Sequence, residues 1–255
     1  MNELALFAGA GGGILGGHLL GWRTVCAVEW EAYPASVLAA RQNDGLLPPF
    51  PIWDDVQTFD GKPWRGIVDV VSGGFPCQDI SVAGGGDGLD GERSGMWKEM
   101  ARIIGEVRPQ YTFIENSPML TIRGLESVLA DLAKMGFDAE WGVLGAADVG
   151  ANHQRDRIWI VGKNVANSKC LGWEKRPTQF GKFTNKETSN QSNNCGQAFK
   201  RNKKSELWAV EPSVGRVADG VADRVDRLKA IGNGQVPLCA ATAWNILNER
   251  LANRS

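Results

Sequence analysis

Between residues 2 and 162 the chain alternates short apolar runs with segments whose apolar side chains recur every three or four positions. The runs at 4–8, 24–30, 68–74, 111–116 and 157–162 read as strands. The run at 68–74 is almost continuously apolar, as expected of a parallel strand covered on both faces. Helical spacing follows them at 14–20, up to Arg41, at 96–107 (Met96, Met100, Ile103, Ile104, Val107) and at 124–135. Such alternation predicts an α/β fold built on a doubly wound, mostly parallel sheet. A last helical pattern at 237–251 is expected to close it, and no internal repeat is visible.

Charge changes this picture. The 255 residues sum to −1, from 28 basic and 29 acidic side chains, which by itself argues against a polyanionic partner. The distribution argues the reverse. Residues 163–204 hold ten Lys and Arg against two acids, Glu174 and Glu187, a local charge of +8, leaving eighteen basic and twenty-seven acidic residues, −9, elsewhere. The same stretch is poor in aliphatics and includes the polar tract SNQSNNC. A solvated insert and a basic arm that follows phosphates both fit this composition.

No run approaches the ~18 apolar residues of a membrane helix. The start MNELALFAGAGGG lacks the pattern of a secretory signal. Five cysteines (Cys26, Cys77, Cys170, Cys195, Cys239) without CxxC spacing indicate neither a disulfide framework nor a metal site. The expectation is a cytoplasmic protein without a metal.

Two loops carry candidate chemistry. In Phe7-Ala8-Gly9-Ala10-Gly11-Gly12, glycines between a strand and a helix let a ligand approach the backbone and the helix-end amides. Glu29, at the end of the second strand, is placed to accept ribose hydroxyls, and Trp30 to stack on a base. This pattern does not separate NAD from S-adenosylmethionine, although F-x-G-x-G-G matches the dinucleotide fingerprint poorly. Ser72-Gly73-Gly74-Phe75-Pro76-Cys77-Gln78 places a thiol just past a buried strand, ahead of the glycine-rich stretch at 83–88. A lone cysteine is ordinarily an inert small hydrophobe, but here a nucleophile beneath a hinged lid also fits.

Taken together, FAGAGG (7–12), Glu29-Trp30, Asp55-Val56, GFPCQ (74–78), Glu115-Asn116, Arg155-x-Arg157 and Gly232-Asn233-Gly234 with Val236-Pro237 resemble the cytosine-C5 DNA methyltransferases. The pieces occur in that family's order, and GFPCQ followed by Glu-Asn is the specific part. The resemblance implies transfer of a methyl group from S-adenosylmethionine to C5 of a flipped-out cytosine, through a covalent adduct of Cys77 at C6. By the same likeness Glu115 bonds or protonates ring N3, and Arg155 and Arg157 orient the base and stabilise developing charge. Phe7, Trp30, Val56 and Pro76 would surround the cofactor, Glu29 would take its ribose and Asp55 its adenine amino group. Gly9, Gly11, Gly12 and Asn233 would line its methionine tail.

Alternative roles remain at this point. Phe7 and Trp30 also suit a core, Asp55 a turn cap, His153 the ordering of the arginine loop, and His18 packing in an apolar helix. Three positions depart from the family pattern: Ala5 replaces an acid, Ser117 follows Glu-Asn, and Asn152-His153 replaces Pro-Gln. None of them removes a group assigned to chemistry. The resemblance also implies an organisation. Residues 1–162 would form the catalytic and cofactor domain, 163–210 a small basic target-recognition region, and 211–255 a supporting segment with the closing helix. The implied partner is double-stranded DNA carrying a short cytosine-bearing site. A monomer acting on nucleoid DNA in a bacterial or phage-infected cell, with a cognate restriction endonuclease, completes the expectation. The same chemistry on RNA and a DNA-binding protein without catalysis are the competing readings.

Overall fold

The computed structural model describes residues 1–76, 95–165 and 224–254. In chain order the elements are β1 (Asn2–Leu6), α1 (Gly12–Leu19), β2 (Arg23–Val28), α2 (Ala32–Asn43), β3 (Ile52–Trp53) and β4 (Val70–Gly73). They continue with α3 (Gly95–Val107), β5 (Tyr111–Asn116), α4 (Leu120–Arg123), α5 (Leu125–Lys134), β6 (Phe137–Leu144), β7 (Arg157–Asn164), α6 (Arg224–Asn233) and α7 (Pro237–Ala252). The strands form one sheet in the order β3-β2-β1-β4-β5-β7-β6. The pairs from β3 through β5 are parallel, whereas β7 runs antiparallel to both β5 and β6.

Period-two alternation within these strands builds two apolar layers. Leu4 and Leu6 of β1 face α3 and α5 with Val28, Val71, Ile114, Ile158 and Ile160. On the other face, Val70, Phe113, Trp159 and Val161 meet Trp244, Leu247 and Leu251 of α7. Here Trp22 packs edge-on against Trp244 with ring centroids 4.6 Å apart. Ala5 and Ala27 leave room for Ile14 of α1 and Leu38 of α2. The glycines inside α1 are packing residues too: a Cβ on Gly16 would lie 2.7 Å from that of Ala240 in α7. Removing side chains there allows the two helices to meet closely.

The expected doubly wound, mostly parallel sheet is present. The sequence reading omitted β6, although Phe137, Ala139, Trp141 and Val143 alternate at strand period and turn toward the core. It also omitted β3, α4 and α6. α6 could not be found from apolar periodicity, because residues 225–229 are all exposed. The first strand stops at Leu6 rather than continuing to residue 8, since Phe7 turns the chain into the left-handed region at φ 51°. His18 is exposed on α1 beside exposed Leu15 and Leu19, so the packing role expected of it is wrong: this face of the helix is turned to the outside.

Candidate active site

Strand order reverses direction between β1 and β4, and in open α/β sheets the crevice beyond the carboxyl ends at such a point receives ligands. Phe7, Glu29, Gly74 and Glu115 all come from the carboxyl ends of strands β1, β2, β4 and β5. The antiparallel course of β7 adds residues from a strand beginning. With Glu115 opposite Trp159 and Asn116 opposite Ile158, the start of β7 lies at the carboxyl edge of the parallel strands. Arg157 is thereby delivered beside Glu115.

The glycine turn is held by the acid that follows β2. Glu29 accepts the Gly9 amide at 2.7 Å through one carboxylate oxygen and the Glu31 amide at 2.8 Å through the other. Burial raises the Glu29 pKa from its ordinary value, against the two amide bonds that favour the ionised form. Gly9 at φ +55° has no neighbour within 4 Å of a built Cβ and borders the crevice. Gly11 and Gly12 have different surroundings. A Cβ on Gly11 would press on Leu38 at 2.8 Å, and one on Gly12 would run into the Gln235 carbonyl. The turn's glycines therefore admit protein as well as ligand.

Beside the turn, Phe7, Val28, Trp30, Asp55, Val56, Pro76 and Met96 line a cleft of about 270 Å³. Trp30 is 72% exposed, so it is a cleft-rim residue and not core. Asp55 caps its own turn, accepting the Gln57 amide at 2.8 Å, while still lining the cleft. Val56 is buried, and its carbonyl accepts a bond from Arg102 of α3 at 2.8 Å. An adjoining cleft of about 230 Å³ shares Phe7, Trp30 and Pro76 and adds Gly9, Glu29 and Asn233. A third, narrow cleft runs from Phe7 and Gly9 past Gly74 to Glu115 and Gln235. The three share Phe7 and adjoin through Trp30 and Pro76 on one side and Gly9 and Gly74 on the other, a trough from the aromatic cleft toward the buried acid.

At the inner end, Glu115 is 8% exposed and its Oε1 lies 2.8 Å from Arg157 Nε. Burial raises its pKa, opposed by the charges of Arg157 and Arg155 and by hydrogen bonds from Gln235 and Arg157. Arg155 donates through Nη2 to the Gly234 carbonyl at 2.7 Å, tying the loop before β7 to the chain between α6 and α7. Asn116 donates to the Phe75 carbonyl at 3.2 Å and accepts the Ser117 amide at 2.7 Å, so β5 anchors the residues that precede Cys77. His153 lines a further cleft with Arg155, consistent with a place in the arginine loop.

Cys77 itself, the glycine-rich stretch 83–88, and residues 166–223, which include most of the basic stretch, lie outside the described residues. Of the other cysteines, Cys26 and Cys239 are buried free thiols with pKa pushed up to about 12 and about 11 by burial. Such thiols resist ionisation and do not suit nucleophilic work. Two residues absent from the sequence reading join the site, Gln235 and Arg102. Gln235 sits inside the Gly-Asn…Val-Pro motif, whose position could have marked it. Arg102 lies on the polar face of a helix, and only its acceptors reveal its place. Among the described residues no group of three or more His, Cys, Asp or Glu could hold a metal ion.

A family model described as C-5 cytosine-specific DNA methylase matches residues 1–217. The chain is 31% identical over 162 residues to the type II methyltransferase M.CviJI of Paramecium bursaria Chlorella virus IL3A, covering 63% of this chain and 42% of the relative. M.Eco47II of Escherichia coli is 28% identical over 264 residues, 95% of this chain and 61% of its own. The chain thus spans about half the length of the curated relatives it matches. In fold it is similar to a prophage-encoded E. coli protein solved as a candidate DNA modification methyltransferase. That match has a TM-score of 0.54 at 21% identity and covers 68% of this chain and 49% of that one.

Proposed function

The chain belongs to the C-5 cytosine-specific DNA methylase family, and from that premise we propose that it transfers a methyl group from S-adenosylmethionine to C5 of cytosine in double-stranded DNA. The observation that carries this reading is the trough. It places an aromatic-lined cleft of about 270 Å³ beside a buried glutamate flanked by two arginines, at the switch point of the sheet.

The residues present fit the cofactor. Phe7, Trp30, Val56 and Pro76 offer flat apolar surface to an adenine, and exposed Trp30 gains a partner by stacking. Asp55 accepts from the exocyclic amine. Glu29 retains acceptor capacity for ribose hydroxyls, since a carboxylate offers about four lone-pair sites and two are used here. Gly9 and Asn233 border the space left for the amino-acid end. Gly11 and Gly12 serve this site by shaping the turn. S-adenosylmethionine, when bound, supplies an electrophilic methyl group.

The protein's own part is to make C5 nucleophilic. The Cys77 thiolate adds to C6, forming a C–S bond and moving the ring's electrons toward C5, N3 and O2. Glu115 faces N3, where its raised pKa favours the protonated acid able to donate. Arg155 and Arg157 offset the negative charge that builds as sulfur adds. Once C5 has taken the methyl group that the cofactor would supply, with S-adenosylhomocysteine as the leaving group, a base removes the C5 proton, the C5–C6 double bond re-forms and the C6–S bond breaks to return the Cys77 thiolate. The base must leave the duplex for Cys77 to reach C6. The basic segment within 163–210 is assigned to target recognition, with Lys and Arg on phosphates and a few side chains at base edges.

Methyl-labelled S-adenosylmethionine and mixed-sequence duplex DNA test the reading. Label should pass to DNA with the unaltered chain and not with Cys77→Ser, and DNA containing 5-fluorocytosine should be trapped covalently when cofactor is present. Absence of transfer to any duplex would overturn the function. Bisulfite sequencing of DNA from expressing cells then gives the target sequence.

A further inference from the structure

We propose that Gln235 is a positioning residue for Glu115, its side-chain amide holding one carboxylate oxygen while Arg157 holds the other. Gln235 hydrogen-bonds Glu115, and the glycines mark where the two side chains lie. A Cβ built on Gly74 would lie 2.5 Å from Glu115 Oε2 and 3.1 Å from Gln235 Nε2, so both atoms border the same glycine. One built on Gly13 would lie 2.5 Å from Gln235 Oε1, and one on Gly12 would strike the Gln235 backbone carbonyl. Gly12 and Gly13 of α1 and Gly74, just after β4, thus make room for a single glutamine. The half-buried side chain lies between the first turn of α1 and the residue after β4.

The short segment between α6 and α7 consequently reaches both the acid and one of its two arginines. Gly234 offers its carbonyl to Arg155 at 2.7 Å, and Gln235 donates to Glu115. Among the described residues, the charged groups acting on Glu115 are Arg157 from β7 and Arg155 from the loop before it. Gln235 is the neutral donor of the set. A donor to a carboxylate favours its ionised form, so Gln235 works with the arginines against the burial that favours the protonated acid. Its role is to keep Glu115 oriented until a base replaces the amide as partner. This inference rests on the reading of Glu115 as the group that meets cytosine N3.

Carboxyl carbon NMR of the full chain, labelled at glutamate Cδ, measures the contact without requiring activity, with the resonance assigned through Glu115→Gln. In Gln235→Met, which keeps length and removes the donor, the Glu115 titration midpoint should rise by about half a unit or more. In Gln235→Glu, the same shape with an added negative charge, it should rise further. Methyl transfer should show the same displacement in the pH dependence of kcat, with KM for S-adenosylmethionine changed less than twofold. An unmoved midpoint in either folded variant overturns the proposal. A midpoint that moves while the unaltered chain transfers no methyl group supports the contact and overturns the function it was assigned to serve.

Discussion

Glu29 accepts the Gly9 amide at 2.7 Å across twenty residues of sequence, so the acid ending β2 fixes the turn that ends β1. Its other oxygen takes the Glu31 amide, and both strand ends are thereby organised before any ribose arrives. Glu29→Ala leaves two amides without their acceptor. The expected cost is about 1–2 kcal/mol of stability, together with at least a tenfold loss of S-adenosylmethionine affinity. Glu29→Gln, which retains an acceptor oxygen, should fall between the two. Calorimetric titration and urea unfolding of the three proteins check this. Equal affinity in Glu29→Ala and the unaltered chain would rule out the organising role.

Arg102 carries a second, less visible constraint on the cleft proposed to take the cofactor. It reaches the Val56 carbonyl at 2.8 Å and the Phe59 carbonyl at 2.9 Å while pairing with Glu99 and Glu106 along α3. The loop bearing Asp55 and Val56 is therefore fixed to the helix that begins at Gly95. Lysine keeps the charge but cannot satisfy two carbonyls and two carboxylates with one ammonium. Arg102→Lys should weaken S-adenosylhomocysteine binding about fivefold and cost about 1 kcal/mol. Free adenosine should lose a similar factor, since the effect is local to the loop proposed to meet the adenine. A loss confined to the amino-acid portion of the ligand would contradict this account.

Glu3 is a buried acid that the proposed chemistry does not use. It is 1% exposed on β1 and accepts from Thr24 Oγ1 at 2.7 Å and Ser72 Oγ at 2.6 Å. Desolvation raises its pKa from 4.5 to about 7 despite those two bonds. Because the folded pKa lies above the unfolded one, the folded chain binds the proton more tightly. The associated stabilisation is complete below about pH 4.5 and is lost as pH rises through about 7. The span corresponds to about 3 kcal/mol. Glu3→Gln should abolish this part of the pH dependence, making the variant relatively more stable at pH 8.5 than at pH 5. Urea unfolding at both values measures it, and parallel behaviour of the two proteins would show that Glu3 does not titrate in this range.

Much of the fold was legible because burial on both faces of a parallel sheet forces continuous apolar runs, and β5 occupies the six residues whose pattern marks it. β6 carried its own alternation, but its polar positions Asp138 and Glu140 disguised it. Glu140 is instead an anchor for Arg254, just past the end of α7, at 2.7 Å, a partner more than a hundred residues away. α6 had no apolar stripe facing the core to announce it.

The sequence by itself determined the chemical inventory and the order of the sheet's building blocks: a thiol after one strand, an acid ending another, glycines after the first, and a basic stretch masked by a net charge of −1. Those properties are local, set by residue type and spacing along the chain. Only the tertiary structure decided which groups meet. The antiparallel turn of β7 brings Arg157 to Glu115, and the close approach of Gln235 explains Gly12. Glu29 likewise spends its first bonds on the backbone. Each is a contact between segments distant in sequence, whose existence depends on strand direction and packing distance. Neither quantity is written in the spacing of residues along one segment.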